Sequence, residues 1–379
     1  MKLPKLTLFV KILLTVLITF SLMASLSAVS EYRTAKRDMH ESDKEVFLKI
    51  AVALSKETTT ALNYGRKITQ HIAYRTTIRD LVAKNNTDKT LKASVLRTLD
   101  NYNAGGSFAV FFLLNTDGDC ILSTDESFVG NNFKFRNYFT QSMKGEMGAD
   151  AAVGVISRKM GYYFSAPVYS NDNSTLIGVA VTKMEQSEIH SILNSGDFGF
   201  NTNVMLTNDN GVILHSSEAE RVFWSLAPLS EAKMEIERKT RFIDREIQSL
   251  TYDRAASEIE HYINPVIYDF YDNEDRAEEM VSVVKVGDYP YFIVTETQSK
   301  ALVKHITDQV LPIIILTVLG ILVGMVVVGL IIKRILSPIS IIRDYVLKVA
   351  NGEKGVKLAI KTGDELEEIS EGIKKIVNR

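Results

Sequence analysis

Cysteine is nearly absent from this chain of 379 residues, which contains a single one, Cys120. One cysteine excludes an intramolecular disulfide framework, so the fold has to be held by its hydrophobic core. Apolar residues make up 46% of the sequence, which is enough to build such a core. An excess of one charge is missing too. The formal net charge of -2 leaves no dominant basic face and argues against a nucleic-acid partner.

Catalytic motifs are also absent. The six histidines show no ligand-pair spacing with cysteine or with each other: His40, His71, His190, His215, His261 and His305. The sequence contains no glycine-rich phosphate loop, nucleophile elbow or dinucleotide fingerprint. Residues 115–119 faintly resemble a calcium loop but lack its closing glutamate, so we interpret them as a turn. We expect no enzymatic activity, no cofactor and no metal site in these residues.

Two long stretches contain no charge. A helix over residues 311–332 spans about 33 Å, which is enough for a hydrocarbon core of about 30 Å. Residues 12–29 are almost as apolar and follow a lysine-containing start. We predict a transmembrane helix at each stretch and a cytoplasmic N-terminus at residues 1–11. A cleavable signal peptide is the alternative for the first span, because it has a basic start, an apolar middle and small residues near its end.

The charges that flank the spans favour one orientation only weakly. Lys333 and Arg334 follow the second span, but basic residues also follow the first span on its outer side. Long domains are translocated largely regardless of charge. We therefore place both termini in the cytoplasm and residues 30–310 outside.

Residues 30–84 contain one glycine and no proline, and their apolar residues recur at helical spacing. This pattern predicts a long amphipathic stalk helix. After about residue 101, short β-rich runs alternate with turn signals. We predict strands at 108–114, 120–123, 151–157, 161–169, 175–184, 204–207, 212–215, 281–286 and 291–297.

Two of these hairpins resemble each other. Asn115 to Gly118 and Asn208 to Gly211 each join two short apolar strands, which is a strong hairpin signal. The repeat predicts a tandem pair of similar units, one at 85–195 and one at 196–300. Residues 252–280, rich in Asp, Glu and Tyr, are interpreted as a helical or loop insertion without an assigned role.

The carboxyl end predicts a helix, a connector and a second helix. One apolar stripe follows Pro338, which we place near a helix start, where its missing N–H costs little. A second stripe has 3-4-3 spacing at Leu366, Ile369, Ile373 and Ile376, which is typical of a coiled-coil seam. We expect two chains to form a parallel four-helix bundle. The alternative is an amphipathic tail lying on the membrane.

Several motifs together resemble a known family. The runs SFVGNNFKFRNYFTQSMKG (127–145), VGVISRKMGYYFSAPV (153–168) and LIGVAVTKM (176–184) resemble a double Cache sensor domain, in particular that of four-carbon-dicarboxylate sensor histidine kinases. GVILHSSEAERVFWSLAPLS (211–230) resembles its second, membrane-proximal unit. Residues 334–370, including Asp364-Glu365-Leu366, are similar to a HAMP signalling domain.

The resemblance implies an α+β fold. A tandem, PAS-like Cache domain stands on the stalk helix between two transmembrane helices, and a HAMP helical bundle follows at 333–379. It also implies that the membrane-distal unit, 85–195, binds the ligand. The residues implied to line the pocket are Arg136, Tyr138, Ser157, Arg158, Tyr163, Ser165 and Lys183.

The chemistry of these side chains supports the same interpretation. The strand pattern places Arg136, Arg158 and Lys183 among apolar neighbours, where a lone cation is costly unless an anion pairs with it. Arginine offers a planar fork and lysine a point charge, so the three suit a ligand with two carboxylates. Structural roles are the alternative: the arginines would pair with Glu126 or Asp150, and Lys183 would end an edge strand.

Lys183 also indicates which ligands are disfavoured. The resemblance implies that an amino-acid-binding Cache domain carries an aspartate near the end of the corresponding strand, to hold the ammonium group. Lysine at this position would repel an ammonium and attract a second carboxylate. We therefore expect a dicarboxylate rather than an amino acid.

The sequence thus predicts a dimeric receptor in the inner (plasma) membrane of a bacterium, with its sensor domain outside. Its expected partners are a small organic acid, the membrane, a second copy and a cytoplasmic output module. Because a HAMP domain would end near Arg379, we expect that module, such as a histidine kinase, beyond this residue. The alternatives are the sensory region of a chemoreceptor or a diguanylate cyclase, a membrane-tethered extracytoplasmic enzyme, and a structural or adhesion protein.

Overall fold

A computed structural model describes residues 8–195, 202–272, 277–353 and 355–377. The chain divides into two units. One unit runs from residue 40 to residue 303, and the other combines the residues up to 39 with those from 304 on.

The secondary structure alternates helices with short strands. The helices are α1 Leu8–Tyr74, α2 Thr76–Ala83, α3 Lys89–Tyr102, α4 Asn137–Met143, α5 Gln186–Asn194, α6 Glu231–Ile236, α7 Asp253–Glu260, α8 Ser299–Ala350 and α9 Glu365–Val377. The strands are β1 Phe108–Leu114, β2 Cys120–Ser123, β3 Gly148–Val153, β4 Met160–Tyr169, β5 Leu176–Glu185, β6 Thr202–Asn208, β7 Ile213–Ser216, β8 Val266–Asp272, β9 Ala277–Lys285 and β10 Tyr291–Gln298.

The strands form two five-stranded sheets with the same topology. The orders are β2-β1-β5-β4-β3 and β7-β6-β10-β9-β8, and every neighbouring pair is antiparallel. Each sheet and the helices packed on it form one module. We call α2–α5 with β1–β5 the first module, and β6–β10 with α6 and α7 the second module. The predicted tandem pair of similar α+β units is confirmed.

The two opening hairpins use the same turn chemistry. The side-chain oxygen of Asn115 accepts hydrogen bonds from the backbone N–H groups of Asp117 and Asp119, at 3.0 and 2.9 Å. Asn208 accepts from Asn210 and Val212 in the same way, at 3.0 and 2.9 Å. An asparagine that bonds its own backbone two residues on is a common initiator of tight turns. The local sequence therefore sets both hairpins.

Both faces of the first sheet are buried, which explains the uninterrupted apolar run of β1. Phe111 and Leu113 face the core shared with the helices α1 to α3. Val110, Phe112 and Leu114 point to the opposite face, under α4. Helix α1 approaches the sheet so closely at Gly65 that a Cβ there would lie 2.4 Å from the Phe164 ring. The candidate site lies on the α4 face.

The stalk helix is shorter than predicted. A helix was expected to Lys84, but α1 ends at Tyr74, and Arg75 has an extended backbone with φ -71° and ψ 131°. The chain resumes as α2, which places Ile78 and Leu81 in the core of the first module. If α1 continued without a break, these two side chains would not reach the core. The helix therefore breaks at Arg75 because burying α2 is favourable.

One predicted strand is displaced. A strand was expected at 151–157, but β3 ends at Val153 and residues 154–159 form a loop. The loop closes where the Gly154 N–H donates to the Lys159 carbonyl at 3.0 Å and the Arg158 N–H donates to the Gly154 carbonyl at 2.8 Å. Arg158 takes a left-handed backbone, with φ +54°.

The segment 252–280, predicted as a helix or loop, contains the helix α7 and also the strand β8. The strand was missed because its sequence, VIYDFYD, mixes aromatic residues with acids. Charged residues are common on edge strands, where they discourage pairing with another chain. Of the predicted second unit, residues 196–201 and 273–276 lie outside the described part of the chain.

Helices α1 and α8 are both long and apolar enough to cross a membrane, judged by length and composition. They contain the predicted spans at 12–29 and 311–332, with apolar side chains such as Ile18 and Leu316 exposed. Most of the predicted N-terminus, residues 1–7, lies outside the described residues.

The carboxyl end differs from its prediction in one respect. Helix α8 is continuous to Ala350 with Pro338 inside it, so this proline does not mark a helix start. Beyond it, connector residues Leu358 and Ile360 pack with Tyr345 of α8. The helix–connector–helix order is as predicted, but the assignment as a HAMP bundle and all the domain boundaries stay predictions.

Candidate functional site

The site is built on a row of side chains across three strands of the first sheet. Asp150 on β3 lies opposite Tyr163 on β4, and Tyr163 lies opposite Lys183 on β5. Residues directly opposite each other in antiparallel strands point to the same face. This face is the one under α4, so an acid, a phenol and an amine share one buried surface.

Arg136 lies at the start of α4 and is only 1% exposed. Its Nη2 donates to the Val153 carbonyl at 2.8 Å, and its Nη1 donates to the Thr240 carbonyl at 2.5 Å. Both acceptors are neutral. Among the described residues, no acidic side chain forms an ion pair with Arg136.

Lys183 is equally buried, with 2% of its surface exposed. Its Nζ donates to Ser157 Oγ at 2.8 Å and to the Lys159 carbonyl at 3.1 Å, so both of these acceptors are neutral too. Burial lowers the pKa of Lys183 to about 8. Within the part of the chain that the structure describes, no acid is within ion-pair distance of this amine. Because β5 is the central strand of its sheet, the edge-strand alternative for Lys183 is excluded.

Two stacked tyrosines form part of the same buried surface. The rings of Tyr138 and Tyr163 stack with centroids 5.3 Å apart and an interplanar angle of 11°. The Lys183 Nζ lies 5.6 Å from the centre of the Tyr163 ring. Burial raises the pKa of both phenols, so both stay protonated and are able to donate a hydrogen bond.

Two glycines make room for these side chains. A Cβ on Gly154 would lie 2.4 Å from Ser157 Oγ and 2.8 Å from the Tyr163 hydroxyl. A Cβ on Gly161 would lie 2.3 Å from Cε of Lys183. Any larger residue at either position would displace the polar atoms of the site.

Three buried polar atoms at this site lack a hydrogen-bond partner in the described structure. They are Nε of Arg136, the hydroxyl of Tyr138 and Oδ2 of Asp150. Buried polar groups are nearly always paired, and an unpaired group costs about 1–3 kcal/mol. Two of the three atoms are donors, which fits a ligand that brings acceptor oxygens.

The acid in the row is held by the second module. Arg241 Nε donates to Asp150 Oδ1 at 2.9 Å, and both side chains are buried. Burial raises the pKa of Asp150 to about 6, against the attraction of Arg241 and Arg136. Arg241 thus offsets the negative charge of Asp150, which would otherwise repel an anion in the site.

The structure brings together five of the seven predicted site residues: Arg136, Tyr138, Ser157, Tyr163 and Lys183. Ser165 faces the same side as Tyr163, but its hydroxyl donates to the Tyr138 carbonyl at 2.7 Å and accepts from Ser142 at 2.8 Å. It therefore positions α4. Arg158 is 64% exposed and pairs with Asp244 at 2.9 Å, so neither Glu126 nor Asp150 is its ion-pair partner.

Some residues of the site were not predicted from the sequence. Gly154 and Gly161 lie inside the run 153–168 that resembles the family. Their position in this run could have predicted that they belong to the site. Asp150 was considered only as a surface partner for an arginine. Thr240 and Arg241 follow the site by more than fifty residues in the chain and carry no recognisable motif.

The fold and parts of the sequence match known sensors. No family model matches the chain. Over 129 residues, 33% of this chain and 20% of the relative, it is 33% identical to the C4-dicarboxylate transport sensor protein DctB of Pseudomonas aeruginosa. Over 143 residues, 36% of this chain and 22% of the relative, it is 26% identical to the DctB protein of Rhizobium meliloti. The chain thus matches about a fifth of the length of these curated relatives.

The solved sensor domain of the V. cholerae histidine kinase DctB has the same fold. It superposes with a TM-score of 0.54 at 21% identity, over 71% of this chain and 99% of that domain. The two-module region shares the fold of this solved domain. The prediction of this fold is confirmed.

Proposed function

We propose that the first module binds a small dicarboxylate outside the cell and that the chain reports this binding across a bacterial inner membrane. Part of the chain is similar in sequence to two C4-dicarboxylate transport sensor proteins. The two long apolar helices supply the spans such a receptor needs. The function is that of the sensory region of a histidine kinase.

One observation carries the proposal: within the described residues, the two buried cations Arg136 and Lys183 donate only to neutral oxygens. A buried charge is costly unless an opposite charge pairs with it. A ligand with two carboxylates would pair with both cations and accept from the unpaired Arg136 Nε and Tyr138 hydroxyl. An amino acid would bring an ammonium group close to Lys183, which is unfavourable.

The proposed relay runs from the sensor through α8 to the carboxyl-terminal helices. We propose that residues 333–379 form a HAMP domain and that two chains assemble there. The observation that supports assembly is an uncovered apolar stripe on α9, where Ile369 is 51% exposed and Ile376 is 74% exposed. A ligand shifts such a relay only as far as its affinity differs between the two signalling states.

Isothermal titration calorimetry of the purified full chain tests the ligand class. Succinate, malate or fumarate is expected to bind, because each offers two carboxylates to the two buried cations. Glycine, alanine and glucose serve as controls and are expected to give no binding heat. If an amino acid or a sugar binds and no dicarboxylate does, the proposed function is wrong.

The affinity is expected to fall as the pH rises above about 8, where Lys183 of the free protein loses its proton. A bound carboxylate favours the protonated amine, so ligand binding above this pH has to take up a proton. The dissociation constant then rises by about tenfold per pH unit until the pKa of the complex is reached. Titrations from pH 7 to 9.5 in buffers of different ionisation enthalpy measure both effects. A flat profile without proton uptake would show that Lys183 does not contact the ligand.

Assembly through α9 is tested by disulfide crosslinking in membranes. Cysteines at Ile369 and Ile376 are expected to crosslink two chains efficiently, because the exposed apolar stripe lies between them. Cysteines at Glu368 and Glu371 are the matched controls on the polar face and should crosslink poorly. The native Cys120 is first replaced by serine. Equal crosslinking at all four positions would contradict a helical seam.

A further inference from the structure

Asp150 is a buried acid beside the cations of the candidate site. It lies on β3 and is 1% exposed. Its Oδ1 accepts from Arg241 Nε at 2.9 Å and from the backbone N–H of Ala151 at 3.1 Å. Its Oδ2 is buried and has no hydrogen-bond partner in the described structure. A dicarboxylate dianion brings only acceptors, so it cannot pair with this oxygen while Asp150 is ionised.

The ionisation of Asp150 depends on the groups around it. In the row across the sheet, Tyr163 lies next to it and Lys183 lies beyond Tyr163. The titratable and charged groups that act on it come from four elements: Arg136 and Tyr138 at the start of α4, Tyr163 of β4, Glu237 and Arg241 of the segment 237–241, and Tyr291 of β10. Burial raises the pKa of Asp150 to about 6, and the positive charges of Arg241 and Arg136 limit this rise.

The two arginines differ in what a ligand can do to them. Arg241 already pairs with three acids of the protein, because it binds Asp209 at 2.8 Å and Glu237 at 2.9 Å in addition to Asp150. Among the described residues, Arg136 donates only to backbone carbonyls, so a ligand carboxylate can neutralise its charge. Asp150 then loses part of the attraction that keeps it ionised and gains a negative neighbour. Both changes favour the protonated acid.

We infer that the first module binds its dicarboxylate together with a proton from solvent, which Asp150 takes up at Oδ2. This inference rests on the function proposed above. Protonation removes a charge that repels the ligand. It also makes the unpaired oxygen a donor, like the unpaired Nε of Arg136 and hydroxyl of Tyr138. Binding and protonation strengthen each other by the same factor, so the sensor binds dicarboxylate more tightly in acidic surroundings.

The test is a calorimetric titration of the natural full chain in detergent with succinate, from pH 6 to pH 7.5. Buffers of different ionisation enthalpy report the protons taken up. If the ligand raises the pKa of Asp150 by about one unit, about 0.4 proton is taken up at pH 7, and the dissociation constant rises about fourfold over the range. Lys183 contributes little at pH 7, where its pKa of about 8 keeps it mostly protonated.

Two variants assign the proton to its residue. Asp150→Asn keeps a donor at this position but cannot ionise, so it should lose most of the proton uptake at pH 7 and most of the pH dependence. Asp209→Asn is the matched control, because it removes another carboxylate bound to Arg241, from a side chain that is 48% exposed. This control should keep both effects. Titration of succinate itself is common to all three proteins and cancels in the comparison.

Binding without proton uptake by the natural protein at pH 7 overturns the inference and leaves the proposed function intact. This result needs no variant, so it decides even where Asp150→Asn does not fold. Proton uptake that Asp150→Asn retains in full, or that Asp209→Asn loses equally, also overturns it. If the natural protein binds no dicarboxylate at all, the proposed function itself has failed and this inference with it.

Discussion

Replacing Lys183 by methionine is expected to weaken succinate binding by at least about 30-fold, without destabilising the protein. Removing one partner of a buried, hydrogen-bonded charge pair costs about 2–5 kcal/mol, and 1.4 kcal/mol corresponds to tenfold in affinity. Calorimetry measures the affinity. Lys159→Met is the matched control, because this lysine is exposed in the adjoining loop and only its backbone carbonyl contacts Lys183.

Thermal unfolding of the same variant gives an independent result. The folded protein lowers the pKa of Lys183 from 10.5 to about 8, so at neutral pH the charged amine disfavours the folded state. This cost is fully present below pH 8 and disappears above pH 10.5. Lys183→Met is therefore expected to melt at the same or a higher temperature at pH 7. A lower melting temperature combined with intact binding would mean that the lysine is structural.

Replacing Arg241 by methionine is expected to destabilise the sensor domain by about 3–5 kcal/mol. The substitution leaves Asp150 and Glu237, both buried, without their cation, and breaking a buried ion pair has this cost. Urea denaturation of the full chain in detergent, followed by tryptophan fluorescence, measures the loss. Lys239→Met removes the same charge from the same segment. Its pair with Glu235 is exposed to solvent, so this control should lose much less stability.

The effect of Arg241→Met should depend on pH. Burial raises the pKa of Asp150 to about 6, so the cost of its buried charge is absent below pH 3.8 and fully present above pH 6. Without Arg241 this pKa rises further, and the loss is therefore expected to be smaller at pH 5 than at pH 7.5. Adding Asp150→Asn should restore part of the stability at pH 7.5. A loss that is independent of pH would show that the packing of Arg241, rather than its charge, is what matters.

Local patterns in the sequence were sufficient for several strands of the first module. The apolar run at 108–114 and the turn after it give β1 and β2 with their observed bounds. Tyr163 and Ser165 lie on one face of β4 because side chains in a strand alternate with a period of two. The repeated turn chemistry of Asn115 and Asn208 revealed the tandem modules. These features depend on neighbours a few residues apart, which is the range that a sequence pattern encodes.

Other features depended on how distant parts of the chain pack. Arg158 points outward because its loop closes in a left-handed turn, whereas a strand would have pointed it into the sheet. The acidic sequence of β8 is typical of a loop, and only its pairing with β9 shows that it is an edge strand.

The sequence by itself determined the two apolar spans, the tandem α+β modules and the cations Arg136 and Lys183 as buried residues of the first module. Only the tertiary structure decided that Arg241 neutralises the charge of Asp150 and that Asp244 forms an ion pair with Arg158. Alternation and helical spacing report burial along one element. Which charges meet is set by the packing of two modules whose contacting residues lie far apart in the chain.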